Sequence, residues 1–285
     1  MVLGPVEMIM LAAIIAALAI AVGWGLVRGP RDRDVELWAR SYGVALTPSN
    51  RPLVERYVRR STAFRRTGFV LGLLVVPPVL DAAGFDLGGF GLVLGTVGYA
   101  VGIVLAEVRL PRPRASRAAA GLDVRRVDLY LPAHLVWLPR VLTVVIVATG
   151  VWSLASPTDA APGELMAGIS DGNIVAAMIA ALVTLLGVEV LQRAVIHRAQ
   201  AVDDAAVRAA DDALRSQSLH ALAGAALAID GGLLFVTLVR AADASDVGVL
   251  VGLAMLAPTV GFLACLWFAN RAWRVRRQPL QPAGA

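Results

Sequence analysis

The stretch "HALAGAALAIDGGLLFVTLVR", residues 220–240, decides the fold. Between His220 and Arg240 the only ionisable side chain is Asp230. At 1.5 Å of rise per residue the apolar run is about 30 Å long, the thickness of a bilayer's hydrocarbon core. It reads as a membrane-spanning helix with an acid near its middle.

The rest of the chain has the same character. Of its 285 residues 58% are hydrophobic and 16% charged, with a mean hydropathy of +0.72. Soluble domains hold roughly 45–50% apolar and 25% charged residues. So much apolar surface needs a bilayer to cover it. Seven stretches qualify as spans: 7–27, 68–86, 88–108, 135–155, 173–195, 219–239 and 248–269. The fold class expected is all-α, a polytopic transmembrane bundle forming one membrane domain over 1–285. Pro77 and Pro78 remove backbone donors and should kink or break the second span.

Arginine sets the orientation. All 26 basic residues are arginine, a bias that fits GC-rich codons and a bacterial source, and the net charge is +5. With the N-terminus outside and the C-terminus cytoplasmic, the inner segments 28–67, 109–134, 196–218 and 270–285 hold 10, 6, 3 and 4 arginines. Arg140 and Arg193 lie at inner helix ends, which leaves only Arg240 outside. This obeys the positive-inside rule. The outer segments are short and acidic, with Asp81, Asp86, Asp159, Glu164, Asp171, Asp243 and Asp246. Trp137 and Trp152, about 22 Å apart along a helix, suit opposite interfaces. The expected location is a bacterial cytoplasmic membrane.

The first inner loop, 28–67, is the most basic. Within it "LTPSNRPLVERYVRRSTAFRRTG" (46–68) offers Ser49 or Asn50 as an N-cap and Pro52 in the first turn. Val54, Tyr57, Val58, Ser61 and Phe64 recur at helical spacing, with arginines over much of the remaining surface. A basic amphipathic helix beside a span is expected to lie on the anionic inner leaflet. Arg56, Arg59, Arg60, Arg65 and Arg66 are its candidate contacts to anionic lipid or to a partner. The run "LTPSNRPLVERYVRR", preceded by "ELWARSYG", resembles the first cytoplasmic loop of uncharacterised actinobacterial multi-pass integral membrane proteins. That resemblance implies a membrane location and brings no activity or catalytic residues with it.

Two further segments carry structural expectations. Gly91, Gly95, Gly98 and Gly102 share one face of the third span and permit close backbone approach by a neighbour. The linker 196–218 reads as a solvated, cytoplasmic helical connector, with i,i+4 pairs Asp204–Arg208 and Asp211–Arg215 on its surface.

Chemistry is sparse. No HExxH, GxSxG or P-loop pattern occurs, and Cys265 is the only cysteine, so no intrachain disulfide can form. His134, His197 and His220 are widely spaced, and no metal or cofactor is expected. The arginines lack an interleaved aromatic platform, so nucleic acid is not an expected partner. Intramembrane acids are the better leads, because charge in hydrocarbon costs at least a few kcal/mol. Glu107 and Glu189 lie near inner helix ends, within reach of Arg109 and Arg193, whereas Asp230 sits at mid-span and invites a bond to Thr143 or Thr184. Two functions fit. One is a non-enzymatic membrane subunit or transport accessory that binds a membrane-protein partner or its own copies. The other is a small-solute or ion transporter that uses Asp230.

Overall fold

The computed structural model describes residues 32–77, 91–108, 127–156, 169–198, 204–245 and 248–270. All regular structure among them is helical: α1 (Asp32–Tyr42), α2 (Arg51–Leu74), α3 (Gly91–Val108), α4 (Ala133–Ala155), α5 (Asp171–His197), α6 (Ala205–Ser245) and α7 (Gly248–Asn270), with a 3-10 turn at Val127–Leu129. Helices α4, α5, α6 and α7 are each long and apolar enough to cross a membrane, and α3 has a shorter apolar stretch, Val93–Val108. The expected first span, Pro78, Arg109 and the acidic residues Asp81, Asp86, Asp159, Glu164 and Asp246 lie outside the described residues.

Small side chains put α6 in the middle. Residues 221–232 include five alanines and three glycines, so neighbouring backbones come close on every side. Ala221, Leu222, Ala223, Ala225, Ala226 and Ala228 have no exposed surface at all. Helices α3, α4, α5 and α7 surround this segment. They turn their large apolar side chains outward: Val144 is 67% exposed, Leu186 63% and Val249 68%. Such a surface is stable against lipid tails and costly against water.

Two glycine seams hold the bundle together. A Cβ on Gly98 would stand 2.2 Å from the Gly68 carbonyl oxygen, and one on Gly102 2.3 Å from that of Phe64. Seen from α2, Gly68 would meet the Gly98 oxygen at 2.1 Å and Gly72 that of Leu94 at 2.2 Å. The expected glycine face therefore packs against a second Gly-x-x-x-Gly pair. Gly95 lies at its edge, where a Cβ would touch only the Leu73 and Phe69 side chains at 3.3 Å, and Gly91 opens α3. On the other side of the bundle, Gly231 approaches Ala257 and Gly261 approaches Leu227 between α6 and α7.

The arginine-rich end differs from expectation in four ways. Helix α2 runs unbroken from Arg51 to Leu74, so its basic half cannot lie flat on a leaflet while its apolar half enters the bundle. The apolar stripe of that basic half is covered by protein: Val54 and Tyr57 pack with Val35 and Trp38 of α1 and with Ala210 and Leu214 of α6. The linker is likewise no solvated connector from residue 205 onward. It forms the first third of α6, and Asp211 and Arg215 are each only 1% exposed. Asn50 stands at the cap position of α2 without bonding that helix's N–H groups. Its side-chain amide instead donates to the carbonyls of Ala45 (2.8 Å) and Ala206 (3.2 Å) and accepts from the Thr47 N–H, tying the loop to α6.

Asp204 caps α6 by accepting from the Ala206 N–H at 2.7 Å, and it also receives the Ser49 hydroxyl. The Ser49 bond, then the Ala206 bond, hold this half-buried carboxyl below its ordinary range. No Asp204–Arg208 ion pair accompanies them among the described residues, because the carboxylate is already engaged at the cap.

Candidate functional site

Asp230 is fully buried in the most enclosed part of α6. Leu219, Ala223, Ala226, Asp230 and Thr237 follow at intervals of 4, 3, 4 and 7, which places them on one helix face. That face looks into the seam between α4 and α5. Leu219, Ala223 and Ala226 pack with Leu135, Val188 and Val195, and Thr149 donates to the Thr237 hydroxyl at 3.0 Å. Neither carboxylate oxygen of Asp230 has a hydrogen-bond partner. The expected bond to Thr143 or Thr184 is absent, and the Thr143 hydroxyl turns back to the Pro139 carbonyl at 3.0 Å. Threonine in a helix satisfies itself this way, which leaves no donor for a neighbouring acid.

A second polar cluster lies at the arginine-rich end, where α2, α3, α6 and α7 converge. Tyr57 donates to Glu107 Oε1 at 3.1 Å, and Arg65 Nη1 donates to the Ala269 carbonyl at 3.1 Å. Arg65 Nε and Nη2 are buried without a bond, and the Ser218 hydroxyl lies beside Tyr57 and Glu107. Glu107 stands at the C-terminal end of α3, with Tyr57 as its described partner. Arg65 does not belong with the candidate surface contacts. It is only 7% exposed, because it faces inward beside Val54, Tyr57 and Ser61 on the buried side of α2. Arg56, Arg59 and Arg66 are exposed as expected, and half-buried Arg60 lies over the Phe64 ring at 6.0 Å.

Glu189 pairs across helices more closely than along its own. Arg140 reaches it at 2.8 Å from α4, whereas Arg193 stands at 3.7 Å. Arg140 also lies over the ring of exposed Trp137. His220 is buried within α6, its Nδ1 2.8 Å from the Ser216 carbonyl oxygen.

Sequence reasoning missed Tyr57, Arg65, Ser218 and Arg215 as interior polar groups. One signal was available: "RSQS" (215–218) continues the helical register of the apolar run after it, so its side chains share that run's surroundings. No family model matches the chain, and no curated protein or solved structure matches it.

Proposed function

We propose that this chain is a seven-span protein of a bacterial cytoplasmic membrane, N-terminus outside and C-terminus inside, kin to the actinobacterial multi-pass proteins its first loop resembles. Its work is transport-associated and non-enzymatic, and Asp230 carries a proton or small cation within a membrane subunit. The observation behind this reading is Asp230 itself. A buried carboxyl with no bonded partner contributes nothing as a lock between helices, and intramembrane acids of this kind belong to ion and proton paths as a rule.

Asp230→Leu separates function from structure. Replacing an unsatisfied buried polar group by an apolar one of similar size should leave stability equal or raise it by about 1–3 kcal/mol. Dye-reported proton or sodium flux in proteoliposomes should fall to background in both Asp230→Leu and Asp230→Asn. A variant that melts lower in detergent yet still conducts would show a structural role and overturn the reading. Where the lone chain is silent, flux restored by a co-purified membrane partner marks it as a subunit. Flux by the chain alone marks it as the transporter.

Orientation has its own check. Cysteine at exposed Gly172 should react with an impermeant maleimide in intact cells, and cysteine at exposed Pro48 should react only after lysis. The arginine distribution requires that outcome. Reversed labelling would invert the topology.

A further inference from the structure

Contacts divide the described helices into two bodies. Helices α4 and α5 pack on each other and on α6, and they touch α2, α3 and α7 at most marginally. Within this hairpin Arg140 pairs with Glu189, and a Cβ on Gly150 would stand 2.7 Å from the Met178 sulfur. The other body holds α2, α3, α6 and α7, joined by the glycine seams. All three glycines of α6, Gly224, Gly231 and Gly232, face α7 or α3. None of them faces the hairpin. The surface between the two bodies is therefore made of side chains, which slide past one another more readily than interlocked backbones. Asp230 lies on that surface, on the α6 face that carries Leu219, Ala223, Ala226 and Thr237.

The two ends of the surface are held unequally. At the arginine-rich end Arg215 donates to the carbonyls of Ile196 and Arg198 at 2.9 and 2.8 Å, and Asp211 holds Arg198 at 2.6 Å. Asp211 and Arg215 are buried there, beside Leu131 and Leu135 packed on Leu219 and Leu222. Three lighter contacts close the opposite end. Arg240 meets Asp171 at 3.1 Å, Thr149 bonds Thr237 at 3.0 Å, and partly buried Ile169 rests on the cluster of Phe235 and Leu238. Asp171 is 70% exposed, and exposed ion pairs contribute little, whereas a buried pair is costly to break. The hairpin is hinged at one end and latched at the other. Along α6, Asp230 stands about 22 Å from Arg215 and about 10 Å from Thr237, on the latch side of the hinge.

We infer that the α4–α5 hairpin swings about the Arg215 strap, and that release of Arg240–Asp171 and Thr149–Thr237 opens Asp230 to water at that end of the membrane. This supplies the gate of the site proposed above. It rests on that reading for its purpose and on the contacts alone for the motion.

Distances between spin labels on the full chain in nanodiscs read the swing, in a Cys265→Ala background. The labels replace exposed residues: Val175 and Val249 near the latch, Val190 and Leu263 in the arginine-rich half. The first pair should show a second, longer distance, whose population rises at least about twofold in Asp171→Asn/Thr237→Val. The second pair should keep one distance in both proteins. Where the double variant fails to fold, Asp171→Asn takes its place, since that side chain is exposed. Oxidising Thr149→Cys/Thr237→Cys, whose native hydroxyls stand 3.0 Å apart, should erase the longer distance, and reduction should restore it. No longer distance in either protein, or equal movement of the two pairs, overturns the inference. Proton flux in proteoliposomes should also fall to background on oxidation and return on reduction. Flux that survives complete cross-linking overturns the gate and leaves Asp230 as the carrier. Flux that survives Asp230→Asn overturns the earlier reading, whatever the labels report.

Discussion

Replacing Gly98 by leucine should be the most damaging single change to the bundle, at about 3 kcal/mol or more. Overpacking a core commonly costs 1–3 kcal/mol because neighbouring side chains can shift rotamer. Here the obstacle is backbone: the first added carbon would lie 2.2 Å from the Gly68 oxygen and 2.9 Å from the Gly72 Cα. Relief requires α2 and α3 to separate along their whole seam, which also strands Tyr57 and Glu107. Gly95→Leu is the internal control. Its Cβ meets only side-chain atoms at 3.3 Å, so the cost should stay at or below about 1–2 kcal/mol. Thermal stability in detergent, wild type against both variants, reads the difference. Equal melting of the two would place the seam elsewhere.

Arg215→Met should be of comparable size, at about 3–5 kcal/mol, the usual cost of breaking a buried ion pair from one side. The Arg215 guanidinium grips Asp211 at 2.7 Å and donates to the carbonyls of Ile196 (2.9 Å) and Arg198 (2.8 Å). It therefore closes the C-terminus of α5, whose last carbonyls no helical N–H can reach. Asp211 is held from its other side by Arg198 at 2.6 Å. Removing Arg215 leaves carbonyls and a carboxylate buried together. The double variant Arg215→Met/Asp211→Leu should cost less than the sum of its two single changes, because the pair between Asp211 and Arg215 can be lost only once. Urea or thermal unfolding in micelles measures both. A double variant weaker than the sum of its single changes would contradict this origin of the penalty.

Span positions were legible because apolar length is a one-dimensional property: α4, α5 and α7 fall within a few residues of the stretches read from hydropathy. The glycine face of α3 was legible for the same reason, since residues on one helix share a face by spacing alone. Its partner on α2 was not, because matching Gly68 and Gly72 to Gly98 and Gly102 is a relation between helices. The loop before α2 and the linker before α6 were misread through charge. Arginine and aspartate read in a sequence as marks of solvent, yet Arg65, Asp211 and Arg215 are enclosed by helices that supply carbonyls or counter-charges. Asp230 was legible as a lone acid in an apolar helix, but its bonding was not: Thr143 answers to its own helix, a choice set by three-dimensional geometry.

The position of α6 in the chain also has a consequence for biogenesis. The helix against which α3, α4, α5 and α7 lean begins at residue 205 of 285. At roughly 5–20 residues per second, on the order of ten seconds separate completion of α3 from completion of α6. Through that interval α2 and α3 can close their own seam, but the inner faces of α4 and α5 have no core to meet. A translocon or insertase must shelter those faces until the ribosome delivers α6. A ribosome stalled before residue 205 should leave a chain that is inserted, unassembled and open to proteolysis.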